Sequence, residues 1–124
     1  MKSSILKIGP GKITEIESTL REAGILRKIL YVSDPYVDSL YGSVVRPQIE
    51  AVGQIKEQSI DCNTIAYAMD VAERVIATDI DCIAALGGGK TLDVGKYAAF
   101  VSKRPFLSIP TTIAHDGIVS PIAV

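Results

Sequence analysis

Hydrophobic positions along the chain change period repeatedly, from short continuous apolar runs to stripes that recur every three or four residues. Ile5 to Ile8 is a short strand candidate, interrupted by Gly9-Pro10-Gly11. Ile13, Ile16, Leu20 and Ala23 follow helical spacing with Glu15, Glu17 and Arg21 facing away, and Gly24 closes that helix. Lys28 to Ser33 is a β-branched and aromatic run, so a strand, ended by Asp34-Pro35. Tyr36 to Val52 reads as a helix with Val37, Leu40, Tyr41, Val44 and Val45 on one face. Pro47 is expected to split it or to start its last turn. Gln54 to Asp61 is a weak strand. Thr64 to Thr78 carries the clearest helical pattern, with Ile65, Ala68, Met69, Ala72, Val75 and Ile76 on the apolar face and Asn63 as the N-cap. Cys82 to Leu86 is an apolar strand, Leu92 to Ser102 a helix, and Pro105 to Ile109 a last strand before the loop that begins Pro110-Thr111-Thr112.

Strands alternating with helices predict an α/β fold, a parallel sheet covered by helices on both faces. Ligands of such sheets sit beyond the carboxyl ends of the strands. Three strand ends carry polar residues or glycines and are expected to converge there: Asp34, Gly87 to Lys90, and Pro110 to Asp116. The length of 124 residues suits one domain, 1–124, and no repeat or interdomain linker is visible.

Composition narrows the partners. Apolar residues make up 48% of the chain, which excludes a disordered polypeptide. A net charge of −1 without a basic surplus argues against nucleic acid, and the scarcity of aromatics argues against base stacking. No apolar run reaches the roughly 20 residues of a membrane helix, and the N-terminus lacks the features of a signal peptide. Cys62 and Cys82 read as buried reduced thiols rather than a disulfide or metal pair, which places the protein in the cytoplasm.

The candidate chemistry lies in two segments. In the first, an apolar strand runs into Gly87-Gly88-Gly89-Lys90-Thr91-Leu92-Asp93 and then a helix. A helix start offers unpaired N–H groups and partial positive charge to an anion, and glycine lets a phosphate approach the backbone. The spacing is neither that of a P-loop nor a full G-x-G-x-x-G. A turn that needs glycine for geometry alone is the competing reading. Lys90 is placed to pair with phosphate, Lys96 to wall the site, and Asp93 to sit at the helix start. Asp34, at the end of the second strand, has two equal readings: a ribose acceptor, or a turn-capping residue before Pro35. As a ribose acceptor it favours NAD over NADP, because a carboxylate repels a 2′-phosphate.

In the second segment, Ser108 to Pro121, two threonines, His115, Asp116 and Ser120 follow a buried strand. Hydroxyls there suit a cofactor amide or phosphate and Asp116 suits substrate hydroxyls; turn chemistry is the alternative. Adjacent His and Asp make no catalytic triad and fall short of a metal site.

Together, Gly87-Gly88-Gly89-Lys90-Thr91-Leu92-Asp93-Val94-Gly95-Lys96 and Ile109-Pro110-Thr111-Thr112-Ile113-Ala114-His115-Asp116-Gly117-Ile118-Val119-Ser120-Pro121 resemble the glycerol dehydrogenase and glycerol-1-phosphate dehydrogenase group. That group belongs to the superfamily of iron-containing alcohol dehydrogenases and dehydroquinate synthase. The His-Asp-Gly-Ile and Ser-Pro pattern is closer to the glycerol-1-phosphate branch. The resemblance implies a Rossmann-like, dehydroquinate synthase-like N-terminal domain that binds NAD or NADP. It places Asp34 at the adenosine ribose, and Gly88, Gly89, Lys90, Thr91 and Asp93 at the pyrophosphate and the nicotinamide-side turn. Thr111, Thr112 and Ser120 fall on cofactor contacts and Asp116 on a contact to the polyol.

The resemblance implies a catalytic metal (Zn, Ni or Fe) held by an Asp and two His of a helical C-terminal domain that is expected to lie outside this chain, so no catalytic or metal-ligating residue is assigned here. The chain is expected to be inactive alone, with that domain and a small polyol or polyol phosphate as the parent's partners. A stand-alone nucleotide-binding or assembly module is the alternative. An unpaired sheet edge or exposed docking face would favour a homo-oligomer.

Overall fold

The computed structural model describes residues 5–9, 12–60 and 64–111. Five parallel strands form one sheet: β1 (Ile5–Lys7), β2 (Lys28–Ser33), β3 (Gln54–Ser59), β4 (Cys82–Gly87) and β5 (Phe106–Pro110), in the order β1-β5-β4-β2-β3. The helices are α1 (Ile16–Glu22), preceded by a 3-10 turn at Ile13–Glu15, α2 (Pro35–Val52), α3 (Ile65–Ala77) and α4 (Gly89–Ser102). This is a Rossmann-like α/β sheet with helices on both faces, as the alternating pattern predicts.

Side chains of a strand alternate between faces, so each central strand feeds two cores. Ile29 and Tyr31 of β2 and Cys82, Ala84 and Leu86 of β4 pack with α1 and α2. Leu30, Val32, Ile83 and Ala85 pack with α3 and α4. Burial on both faces explains why β2 and β4 are continuously apolar. By contrast β3, an edge strand paired to β2 alone, is mostly exposed, which accounts for its weak signal.

Three expectations about the helices need correction. Pro47 neither splits α2 nor starts its last turn: it lies inside one unbroken helix. The turns around it are pinned by Gln48, whose side chain accepts from the N–H groups of Ile16 (2.9 Å) and Glu17 (3.2 Å) and donates to the carbonyls of Ile13 (2.9 Å) and Val44 (2.8 Å). These bonds cap the otherwise uncapped start of α1 and fasten it to α2. The N-cap of α3 is Thr64, which accepts from Tyr67 N–H at 3.1 Å; Asn63 lies outside the described residues. The buried face of α3 is Ala68, Val71, Ala72 and Val75, whereas Ile65, Met69 and Ile76 are exposed. On α2, Leu40 is likewise exposed, and Tyr41, Val45, Ile49 and Val52 carry the contact.

Cys82 is buried and free, and burial pushes its thiol up to about 12, so it remains protonated at neutral pH. Cys62 lies outside the described residues.

Lys103 ends α4 in the left-handed region at φ 59° and ψ 43°, exposed to solvent. A lysine there carries roughly 1–2 kcal/mol of steric cost. Glycine removes that cost but adds freedom to the unfolded chain worth about 0.4–1 kcal/mol. Lys103→Gly is therefore expected to stabilise the fold by roughly 0.5 kcal/mol. The check is a higher urea midpoint at unchanged denaturant slope.

Candidate functional site

The connections fix where a ligand can sit. From β2 the chain leaves through α2 to β3 on one side; from β4 it leaves through α4 to β5 on the other. The reversal falls between β2 and β4, which are direct neighbours, and such a switch point opens a crevice beyond the strand ends. Ser33 is in register with Leu86, Leu86 with Ile109 and Gly87 with Pro110. Asp34, the glycine turn and Pro110-Thr111 therefore lie side by side along one edge, as expected from the strand ends.

The glycines of the turn do different jobs. A Cβ on Gly87 would meet Thr91 at 2.8 Å, so Gly87 lets the buried Thr91 fold back under the turn. A Cβ on Gly88 or Gly89 would meet nothing within 4 Å. Gly88, the N-cap of α4, has φ −88°, so neither crowding nor its backbone conformation demands glycine. Open space of this kind is what a phosphate approaching the backbone closely would require. Helices α2 and α3 have side-chain N-caps, from Asp34 and Thr64, whereas α4 has none. The first hydrogen bond of α4 runs from Leu92 N–H to Gly88 C=O at 3.0 Å, ahead of which the N–H groups of Gly89, Lys90 and Thr91 point out of the helix start.

Asp34 performs the capping role: one carboxylate oxygen accepts from Val37 N–H at 2.8 Å, at the start of α2. The two readings of Asp34 are compatible, because this bond engages one oxygen and the residue is half-buried at the crevice. Lys90 is exposed in the first turn of α4. Asp93 is not at the helix start: α4 begins already at Gly89, the last of the three glycines, so Asp93 sits a full turn in, on an exposed face. With Lys7, Leu92, Lys96, Ser108 and Pro110 it lines a cavity of about 360 Å³ between β1, β5 and α4. Thr111 follows β5 directly and is half-buried. Thr112, His115, Asp116 and Ser120 lie outside the described residues, as does most of the second segment.

Among the described residues no three His, Cys, Asp or Glu side chains cluster as a metal site, so those residues do not fit a catalytic metal. No helix among them is long and apolar enough to cross a membrane.

One group of polar residues escaped the sequence reading. Tyr31, Asp38, Arg46 and Glu57 form a network under α2: the Tyr31 hydroxyl donates to Asp38 at 2.7 Å, and Arg46 binds both oxygens of Asp38, at 3.1 and 2.8 Å, and also Glu57. The Arg46 guanidinium, ahead of the Tyr31 hydroxyl, holds the Asp38 carboxyl below its ordinary range; burial foremost, then Asp38, raises the Tyr31 phenol. Asp38 and Arg46 are eight residues apart, beyond the i, i+4 spacing by which helix ion pairs are recognised. The visible signal was Gly42 in mid-helix, where a Cβ would fall 2.4 Å from an Asp38 oxygen.

A family model described as iron-containing alcohol dehydrogenase matches residues 7–124. A glycerol-1-phosphate dehydrogenase [NAD(P)+] of Thermofilum pendens is 38% identical over 114 residues, which is 90% of this chain and 32% of the relative. The namesake from Aeropyrum pernix is 41% identical over 96 residues, 77% of this chain and 27% of the relative. This chain thus spans about a third of the length of these relatives. Among solved structures, glycerol dehydrogenase from Schizosaccharomyces pombe superposes with a TM-score of 0.71 at 17% identity, over 89% of this chain and 28% of that one, a likeness of fold. An alcohol dehydrogenase from an archaeal halo-thermophile of a Red Sea brine pool gives 0.64 at 26% identity, over 82% and 26%.

Proposed function

Since the chain belongs to the iron-containing alcohol dehydrogenase family, we propose that it is the nucleotide-binding part of a metal-dependent polyol phosphate dehydrogenase interconverting dihydroxyacetone phosphate and sn-glycerol 1-phosphate. The observation that carries this reading is the meeting of Asp34 and the open glycine turn across the β2–β4 switch point. The identity to relatives named glycerol-1-phosphate dehydrogenase [NAD(P)+] favours this substrate over other small polyols.

The residues present fit a dinucleotide. Gly88, Gly89 and Lys90, with the N–H groups opening α4, would hold the pyrophosphate. Thr91 shapes that turn from below. Asp34 would accept the hydroxyls of the adenosine ribose with the oxygen that does not cap Val37. Asp93 and Thr111 border the nicotinamide side of the turn, and Thr112 and Ser120 are assigned cofactor contacts and Asp116 a polyol contact on the sequence pattern alone. The bound cofactor would supply or accept the hydride. The chain's own part is to bind and orient it, since correct placement of a reactant removes much of the barrier. No step is assigned to a metal on these residues.

Asp34→Asn tests the ribose assignment without removing the helix cap, because Asn also caps well. The variant is expected to lose roughly tenfold in NADH affinity, as a hydrogen bond to a charged group is lost, and less in NADPH affinity. Fluorescence titration of both nucleotides gives the ratio. An unchanged ratio removes the assignment.

A further inference from the structure

The turn that carries Asp34 is spanned by a bond between residues on either side of it. Tyr31 lies three positions before Asp34 on β2 and Asp38 four positions after it on α2. The Tyr31 hydroxyl donates to an Asp38 oxygen at 2.7 Å, and Asp38 N–H donates to the Asp34 carbonyl at 3.0 Å. Asp38 is held in turn by both donors of the Arg46 fork, and the Arg46 guanidinium carbon stands 5.1 Å from the centre of the Tyr31 ring. Tyr31 is 1% exposed, so its ring is fixed by the core. Gly42 leaves the space these groups fill: a Cβ there would come within 2.4 Å of Asp38 and 3.4 Å of Arg46. A glycine in mid-helix is disfavoured by propensity, so its presence is accounted for by the meeting of Asp38 and Arg46 above it. A plain helix-to-sheet contact needs none of this; apolar packing would serve.

We propose that Tyr31 and Asp38 are positioning residues for cofactor recognition, their hydrogen bond clasping the β2–α2 turn so that Asp34 presents its outer carboxylate oxygen to the adenosine ribose. This rests on the reading of Asp34 as the ribose acceptor. Without the clasp, α2 can shift against the end of β2, and Asp34 keeps its bond to Val37 but loses its aim. Such a loss affects NADH, whose ribose diol needs that oxygen, more than NADPH, which a carboxylate there disfavours.

The test measures NADH and NADPH affinities by fluorescence titration for the wild-type chain, Tyr31→Phe, Asp34→Asn and the double variant. Tyr31→Phe deletes one hydroxyl and leaves the ring and the Asp38–Arg46 pair. The expected result is a roughly three- to tenfold loss of NADH affinity with a smaller loss for NADPH. The double variant should bind NADH no more weakly than Asp34→Asn alone, because both substitutions act through one contact. Equal loss for both nucleotides, or additive losses in the double variant, would show general support of the fold and overturn the proposal. Unchanged NADH affinity in Tyr31→Phe while Asp34→Asn weakens it would overturn the clasp and leave the ribose reading standing. Unchanged affinity in Asp34→Asn would remove both.

Discussion

Gly53→Ala is expected to cost about 3 kcal/mol of folding stability, the upper range for forcing an extra methyl into a packed site. Gly53 joins α2 to β3 with φ −178°, an extended backbone open to any residue, so the cost is purely steric. An added Cβ would stand 2.3 Å from the Arg27 carbonyl oxygen and 2.9 Å from its carbon. Both are main-chain atoms at the entrance to β2 and cannot swing aside. The same carbonyl accepts from Gln54 N–H at 2.6 Å, so relief of the clash pulls apart the start of the β2–β3 ladder. Against a total of about 5–15 kcal/mol for a typical domain, a loss of this size is large. Urea unfolding followed by circular dichroism should show a markedly lower midpoint. A midpoint within error of the wild type would mean that the two segments are not in contact.

Gly88→Val separates binding from folding. A Cβ at this position meets nothing within 4 Å, so the fold accommodates valine at the cost of a poorer helix cap, about 1 kcal/mol. If the open space is the pyrophosphate cradle, the branched side chain fills it and keeps the phosphate from the N–H groups at the start of α4. The loss is then of several charge-assisted hydrogen bonds, and NADH affinity should fall by more than about tenfold. Calorimetric titration beside a thermal melt measures both effects. Equal NADH affinity in the variant would take the phosphate site away from this turn. Gly95 shows what a glycine of the opposite kind looks like: a Cβ there would strike the Phe106 ring at 2.9 Å and Ala85 at 3.0 Å, so it serves the seating of α4 on the sheet.

The strands were readable in the sequence to within a residue or two at each described end, because β2 and β4 are buried on both faces and so written in unbroken apolar runs. The glycine turn and Asp34 were readable because their chemistry sits in consecutive residues at strand ends. Three features were hidden for physical reasons. Period alone put Ile65, Met69 and Ile76 on the buried face of α3, but the face that packs is Ala68, Val71, Ala72 and Val75, which turns those three outward. Pro47 signalled a break that Gln48, bonded to α1, offsets through tertiary contacts. The Tyr31–Asp38–Arg46–Glu57 network draws on β2, two distant turns of α2, and β3, so no local window contains it.

The position of β1 in the sheet has a consequence for how the chain assembles. Its partner is β5, with Ile5 opposite Phe106, and Ile8 N–H reaching Ser108 C=O at 3.0 Å. The first of the described strands thus has no mate until almost all of the described chain has followed it. Local connections can bring β2, β3 and β4 together during translation, whereas closing so long a loop carries a larger entropic cost and is slow. A three-residue strand repays little of that cost, so β1 is the natural last addition to the nascent sheet. Until it docks, the edge of β5 stays open to any other extended chain, an aggregation hazard that pairing with β1 removes from β5.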